Sequence, residues 1–259
     1  MERVEDDVRI LRLLEEHGFV AERLAHADPV SLHERQGVLV TRFVHGSQVS
    51  SADEQTFLAL GECLGRLHML PVQPAIRRGG AIHSFTLEEG SLCDEVTEAM
   101  SWLAEAGVPA EQKGAYDDLV QKIAHVDYGD PLPQALLHPD PTPQHFIVTQ
   151  NRELVPIDWT GAGVGPRVHA LAFLLLSAVS HSRWRAHASR VDAVIEGYRR
   201  HVTLYDEECA VLAAVMPLHV LVRDCGEYCM GRMTFDEVSG GYSAISRLAA
   251  AVAGRIRSS

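Results

Sequence analysis

Lysine is almost missing from this sequence. Lys113 and Lys122 are the only two in 259 residues, and every other basic side chain is arginine. No lysine amine therefore stands ahead of position 113, and no glycine precedes Gly18. Positive charge is also short overall, with a formal net charge of −12. A phosphate-backbone binder needs a basic surface, so the balance argues against nucleic acid as a partner. It suits solubility or attraction to a cationic substrate. No uninterrupted apolar run reaches the roughly 18 to 20 residues of a membrane span. The longest, "ALAFLLLSAV" (170–179), reads as a buried helix. The N-terminus, "MERVEDDVRI", has no apolar signal-peptide core, so the expected location is cytoplasmic, with no membrane partner. The five cysteines are odd in number and scattered, which reads as free thiols. Cys225 and Cys229 lie one helical turn apart and would hold a metal only with further ligands.

What is present fits a globular chain with a real core: 46% hydrophobic and 22% charged residues. The length suits one large domain, or one domain with a small appendage. In "VEDDVRILRLLEEHGF" the spacing puts Val8, Leu11 and Leu14 on one helical face, with Ile10 and Leu13 beside it and Gly18 as the stop. "GVLVTRFVHG" (37–46) reads as a strand and turn. "SADEQTFLALGECLGRLHML" predicts a helix capped by Ser51 and running to about Met69. "PVQPAIRRGGAIHSF" is a loop. Helices are expected over 92–105 and 110–125, and short strands at "ALL", "HFIVT" and "LVPIDW". "GAGVGPR" reads as a loop. Beyond Val168 the chain is mostly helical, with breaks near Ser180, near Thr203 and at "GRMTF". The class is α+β and helix-rich. Trp102, Trp159 and Trp184 are assigned to core packing ahead of pocket lining. His68, His83 and His219 are assigned to the surface or to helix caps.

One segment carries chemistry. "LLHPDPTPQHFIVTQNRELVPIDW" (136–159) sets Asp140 on a loop, His145 five residues later, and Asp158 at the end of the next strand. Phosphoryl transfer needs a carboxylate to orient and deprotonate the attacking hydroxyl, and ligands for divalent ions. Hard cations prefer oxygen, which makes Asp158 the natural Mg²⁺ anchor.

"HPDPTPQH" followed by "IDW" resembles the catalytic hairpin of the aminoglycoside phosphotransferase family, a branch of the protein-kinase-like fold. That family's pattern is His-Gly-Asp-x-x-x-x-Asn, then Ile-Asp-Trp or Ile-Asp-Phe. The resemblance implies that Asp140 is the catalytic base and Asp158 the principal metal ligand. His145, in the asparagine's place, is similar to the macrolide 2′-phosphotransferases, which also continue "IDWT". An imidazole nitrogen can ligate in place of an amide oxygen, though it suits Mg²⁺ less well. Pro139 replaces the family's glycine, and His169 stands where a structural aspartate is usual. The hinge Arg42, Phe43 and Val44 would meet the adenine of ATP. The implied architecture is a residual N-lobe and hinge over 1–46, with one helix and about two strands, and a helical C-lobe over 47–259.

In that fold a Gly-rich loop and a strand lysine, paired with a helix glutamate, grip the phosphates. The helix "VEDDVRILRLL" resembles the glutamate's helix, with Asp7 or Glu5 near its position. The expected N-lobe therefore lacks its first strands, and weak ATP binding is expected of this chain alone. Three readings stay open. The chain is an ATP- and Mg²⁺-dependent phosphotransferase completed by a partner subunit, a homodimer or the substrate itself; or an impaired relative that binds a small molecule, peptide or partner; or a truncation. The acceptor implied is a hydroxyl of an antibiotic or amino-sugar, or Ser/Thr of a natural-product precursor peptide. An exposed "VLVTRFV" edge would invite pairing with another chain.

Overall fold

The computed structural model describes residues 2–34, 36–49, 53–72, 76–79, 91–179 and 184–258. The chain opens with helix α1, Glu2–Glu16, which buries Val8, Ile10, Leu11, Leu13 and Leu14 as its spacing predicts. Gly18, at φ +67°, ends it: the Gly18 amide bonds to Glu15 O and the Phe19 amide to Leu14 O. Phe19 then folds back into the core, which is the apolar contact that accompanies this C-terminal motif.

Strands β1 (Val30–His33) and β2 (Gln36–Leu39) form an antiparallel pair. The strand expected over 37–46 is thus shorter, and β1 supplies the second of the two or so strands expected in this part of the chain. Beyond Leu39 the ladder turns irregular, because Pro29 has no N–H to give; its carbonyl accepts from Val40, and Arg42 bonds to Arg23 O. One helix and one two-stranded sheet make up the described N-terminal lobe, in accord with a reduced N-lobe.

Strand β3 (Ser47–Gln48) crosses into the second lobe and pairs with β5 (Phe146–Val148), which pairs in turn with β6 (Leu154–Pro156). β4 (Gln134–Leu137) pairs with β7 (Gly163–Pro166). The second strand of that pair corrects the loop reading of "GAGVGPR". Its glycines serve close approach: a Cβ on Gly163 would meet the Gly79 nitrogen at 2.6 Å, and Arg78 bridges to Val164 along β7's other edge.

Helices build the rest: α2 (Glu54–His68), α3 (Leu92–Ala106), α4 (Lys113–Ala124), α5 (Arg167–Ala178), α6 (Trp184–Arg199), α7 (Asp206–Cys229) and α8 (Phe235–Ser258). The cap of α2 is Asp53, whose carboxylate accepts from the Thr56 amide at 2.8 Å; Ser51 lies outside the described residues. α7 is long and apolar enough to cross a membrane, but most of it is buried against α3, α5 and α8, so it is the core helix of this fold. It carries an internal Pro217.

Two histidines depart from their surface assignment. His68 is buried, with Nδ1 2.8 Å from the Tyr198 hydroxyl. His219 is buried too, stacked on the Phe173 ring at 4.9 Å. Each sits on the inward face of a helix, and burial pushes both down to about 3. His83 and the side chain of Trp184 lie outside the described residues. Trp159 is in the core and Trp102 packs against it, as expected. The cysteines are unpaired, and burial pushes Cys63 up to about 11 and Cys225 to about 12.

Candidate active site

Strand β4 is buried and delivers His138 into the core at its end. Burial holds that imidazole neutral, down to about 4. Its Nε2–H donates to Ile157 O at 3.0 Å, and its Nδ1 accepts the Asp140 amide at 3.1 Å. The ring lies between Phe146 and Trp159. One fixed tautomer therefore ties the Asp140 loop to the strand that leads to Asp158.

The loop beyond is stiffened by Pro139, Pro141 and Pro143. Asp140 Oδ1 accepts the Thr142 amide at 3.3 Å, a turn closed by the aspartate's own side chain. Pro143 then starts a single 3-10 turn ending at His145. His145 Nδ1 stands 3.2 Å from Asp140 Oδ2, and its Nε2 stands 3.9 Å from Asp158 Oδ2. Thr142 Oγ1 is 3.3 Å from the same Nδ1. The carboxylate partner pushes His145 above its ordinary value. Burial raises Asp140, but hydrogen bonds from His145 and Thr142 outweigh it, and the net shift is downward. Asp140 stays ionised at neutral pH.

Asp158 has φ +64°, a left-handed conformation that is costly for a residue with a side chain. Its amide donates to Glu22 Oε1 at 2.8 Å. Glu22 also accepts from the Trp159 amide and the Thr41 side chain, while burial pushes its carboxyl up. Four residues past Asp158, the Ala162 carbonyl accepts from Arg77 Nε at 2.8 Å; Arg77 Nη2 in turn reaches Asp7 Oδ1 at 2.5 Å. These contacts bring α1 and the 19–22 segment onto the loop that holds Asp158.

The structure thus gathers Asp140 and Asp158 around the His145 imidazole. Arg42, Phe43 and Val44 follow Thr41 and so lie one link from Asp158, through Glu22. The Arg42 amide is bonded to Arg23 O at 2.7 Å, Phe43 is 80% exposed, and Val44 is half-buried. Glu22, Arg77, His138 and Thr142 were not anticipated. The first two act from 136 and 85 residues away, where no local pattern reaches; His138 belongs to the quoted motif and could have been found there.

Among the described residues no trio of His, Cys, Asp or Glu side chains converges as a ready-made metal cage. What fits a divalent ion is a pair, the Asp158 carboxylate and the His145 Nε2 lone pair. His145 donating Nδ1–H to a carboxylate is the usual way a metal-ligating imidazole is oriented. A site supplying only one or two ligands suits Mg²⁺, which keeps waters and takes phosphate oxygens.

The model of a family described as "Phosphotransferase enzyme family" matches residues 1–210. No curated protein matches the chain. An aminoglycoside phosphotransferase from Alicyclobacillus acidocaldarius is similar in structure with a TM-score of 0.65 at 16% identity, over 99% of this chain and 83% of that one. An amicoumacin kinase in complex with AMP-PNP, Ca²⁺ and Ami superposes with a TM-score of 0.62 at 19% identity, over 94% and 77% of the two chains. A Plasmodium vivax ethanolamine kinase gives 0.63 at 14%, over 96% and 72%.

Proposed function

Because the chain belongs to the phosphotransferase enzyme family, we propose that it catalyses ATP-dependent phosphoryl transfer to a hydroxyl group in the cytoplasm. The acceptor class is a small molecule such as an antibiotic or amino-sugar, or Ser/Thr of a natural-product precursor peptide. The observation that carries the reading is one imidazole facing both aspartates, at 3.2 Å from Asp140 and 3.9 Å from Asp158. Similar folds hold a nucleotide beside a second ligand, AMP-PNP with Ami in the amicoumacin kinase and ADP with spectinomycin in a spectinomycin phosphotransferase, and this supports the same use here.

Asp140 accepts the proton of the acceptor hydroxyl as that oxygen bonds to phosphorus and the terminal phosphoryl group leaves its bridging oxygen. His145 and Thr142 keep the Asp140 carboxylate ionised and aimed. Asp158, with His145 Nε2, would hold Mg²⁺. Mg·ATP, when bound, supplies the phosphoryl group with its charge partly neutralised. Arg42 to Val44 offer backbone for the adenine. Assay of the purified chain with labelled ATP, Mg²⁺ and a panel of hydroxyl acceptors tests the reading: transfer to one class is expected.

A second reading is favoured by the position of His145. Its ring already spans the two carboxylates, 3.2 Å from Asp140 and 3.9 Å from Asp158, where a cation would bind. A relative that binds ligands without turning them over would keep that closed arrangement. Absence of transfer to every acceptor, with retained ligand binding, would favour it.

A further inference from the structure

Asp158 is the residue whose carboxylate must be aimed, and it is held in an unfavourable backbone conformation, φ +64°. Something must over-determine that conformation for it to persist. Ile157 before it is fixed by His145 O and His138, and Trp159 after it is buried, but the Asp158 amide itself finds its acceptor elsewhere. The holding group comes from the other lobe. The Glu22 carboxylate accepts the Asp158 amide at 2.8 Å and the adjacent Trp159 amide, two successive N–H groups turned toward one anion. Glu22 also accepts from the side chain of Thr41, the residue before the hinge. Its own amide bonds to Pro156 O at 3.2 Å, so main chain and side chain dock on the same loop.

We infer that Glu22 is a positioning residue for the metal site: its carboxylate fixes the backbone of Asp158 and couples the placement of that ligand to the hinge through Thr41. The inference rests on the reading of Asp158 as a metal ligand. Glu22 itself does not touch the cation; it acts through the Asp158 main chain, as groups that orient metal ligands do. A merely structural Glu22 would affect global stability and leave the metal affinity of the folded protein unchanged.

The test uses the full chain with Glu22→Ala, Glu22→Gln and Asp158→Ala. Two readouts are taken: amide hydrogen exchange of the peptide spanning Asp158 and Trp159, and Mn²⁺ affinity by electron paramagnetic resonance with AMP-PNP present. In Glu22→Ala the local exchange is expected to rise on the order of tenfold, since a charged acceptor has been removed. Mn²⁺ affinity is expected to fall about 10- to 100-fold. Glu22→Gln keeps one acceptor oxygen and should recover part of both; it also serves if the alanine variant folds poorly. Asp158→Ala should abolish the Mn²⁺ site. Unchanged Mn²⁺ affinity in folded Glu22→Ala overturns this inference alone. A wild-type chain that binds no Mn²⁺ overturns the metal-ligand reading of Asp158, and this inference with it.

Discussion

Arg77 and Asp7 meet as a buried ion pair, Nη2 to Oδ1 at 2.5 Å, with side chains only 3% and 5% exposed. The pair joins α1 to the segment that runs beside β7, and Arg77 also reaches the Ala162 carbonyl. Removing one partner leaves the other charge buried. Asp7→Ala is therefore expected to cost about 3–5 kcal/mol of unfolding free energy. Replacing both at once, with Asp7→Leu and Arg77→Met, should recover part of it, since neither charge is left buried although the Ala162 carbonyl loses its donor. Urea denaturation of the three variants checks this; a double variant no better than the single would contradict it.

His145→Ala should raise the Mg²⁺ concentration needed for half-maximal activity about 10- to 100-fold, because it removes one ligand and the group that orients Asp140. His145→Asn should restore most of it, since an amide oxygen suits a hard cation at least as well as imidazole nitrogen. A Mg²⁺ titration of activity across both variants decides. Equal Mg²⁺ dependence in all of them would remove His145 from the metal site.

Buried histidines are expected to weaken the fold in acid. His68 and His219 fall to about 3 in the fold from an ordinary 6.5, because burial disfavours their charged forms. Below about pH 6.5 the unfolded chain binds protons that the folded chain refuses. Their contribution is complete above that pH and is lost as pH falls toward about 3, at about 1.4 kcal/mol per unit for each. His219 is stacked on Phe173, and burial outweighs the one backbone hydrogen bond it shares with His169. His219→Leu should thus keep near-neutral stability and flatten the acid slope by about one proton. Denaturation measured near neutral pH and about two units lower tests this; an unchanged slope would count against it.

The N-terminal sheet has two strands and exposes Leu32 (61%) and Phe43 (80%) nearby, with Val38 and Val40 partly exposed. Two-stranded sheets are marginal alone, and unpaired edges recruit other strands. We propose that a second copy of the chain covers this sheet. Sedimentation velocity should find a dimer for the wild type and a monomer for the Leu32→Ser, Phe43→Ser double variant. A monomeric wild type would contradict it.

The grouping of Asp140, His145 and Asp158 was legible because it is local: all three lie between β4 and β7, with both carboxylates in reach of one imidazole. The buried face of α1 was legible for the same reason, a helical period acting on Val8, Leu11 and Leu14. What escaped was carried by distant partners. Nothing near Glu22 signals that it will meet the Asp158 amide 136 residues on. β7 looked like a loop because Gly163 and Gly165 suggest turns; they are there to let Gly79 approach. His219 looked polar and therefore external, but its position faces Phe173 on α5.

Phosphoryl transfer with and without the Asp140 carboxylate tests the central claim most directly. Asp140→Asn preserves shape and the turn to Thr142 but cannot take a proton. With the acceptor found in the panel assay, its turnover is predicted to fall about 10²- to 10⁴-fold while the melting temperature stays near the wild-type value. A folded Asp140→Asn variant that retains most of the wild-type rate would contradict the assignment of Asp140 as the base, and with it the mechanism proposed for this site.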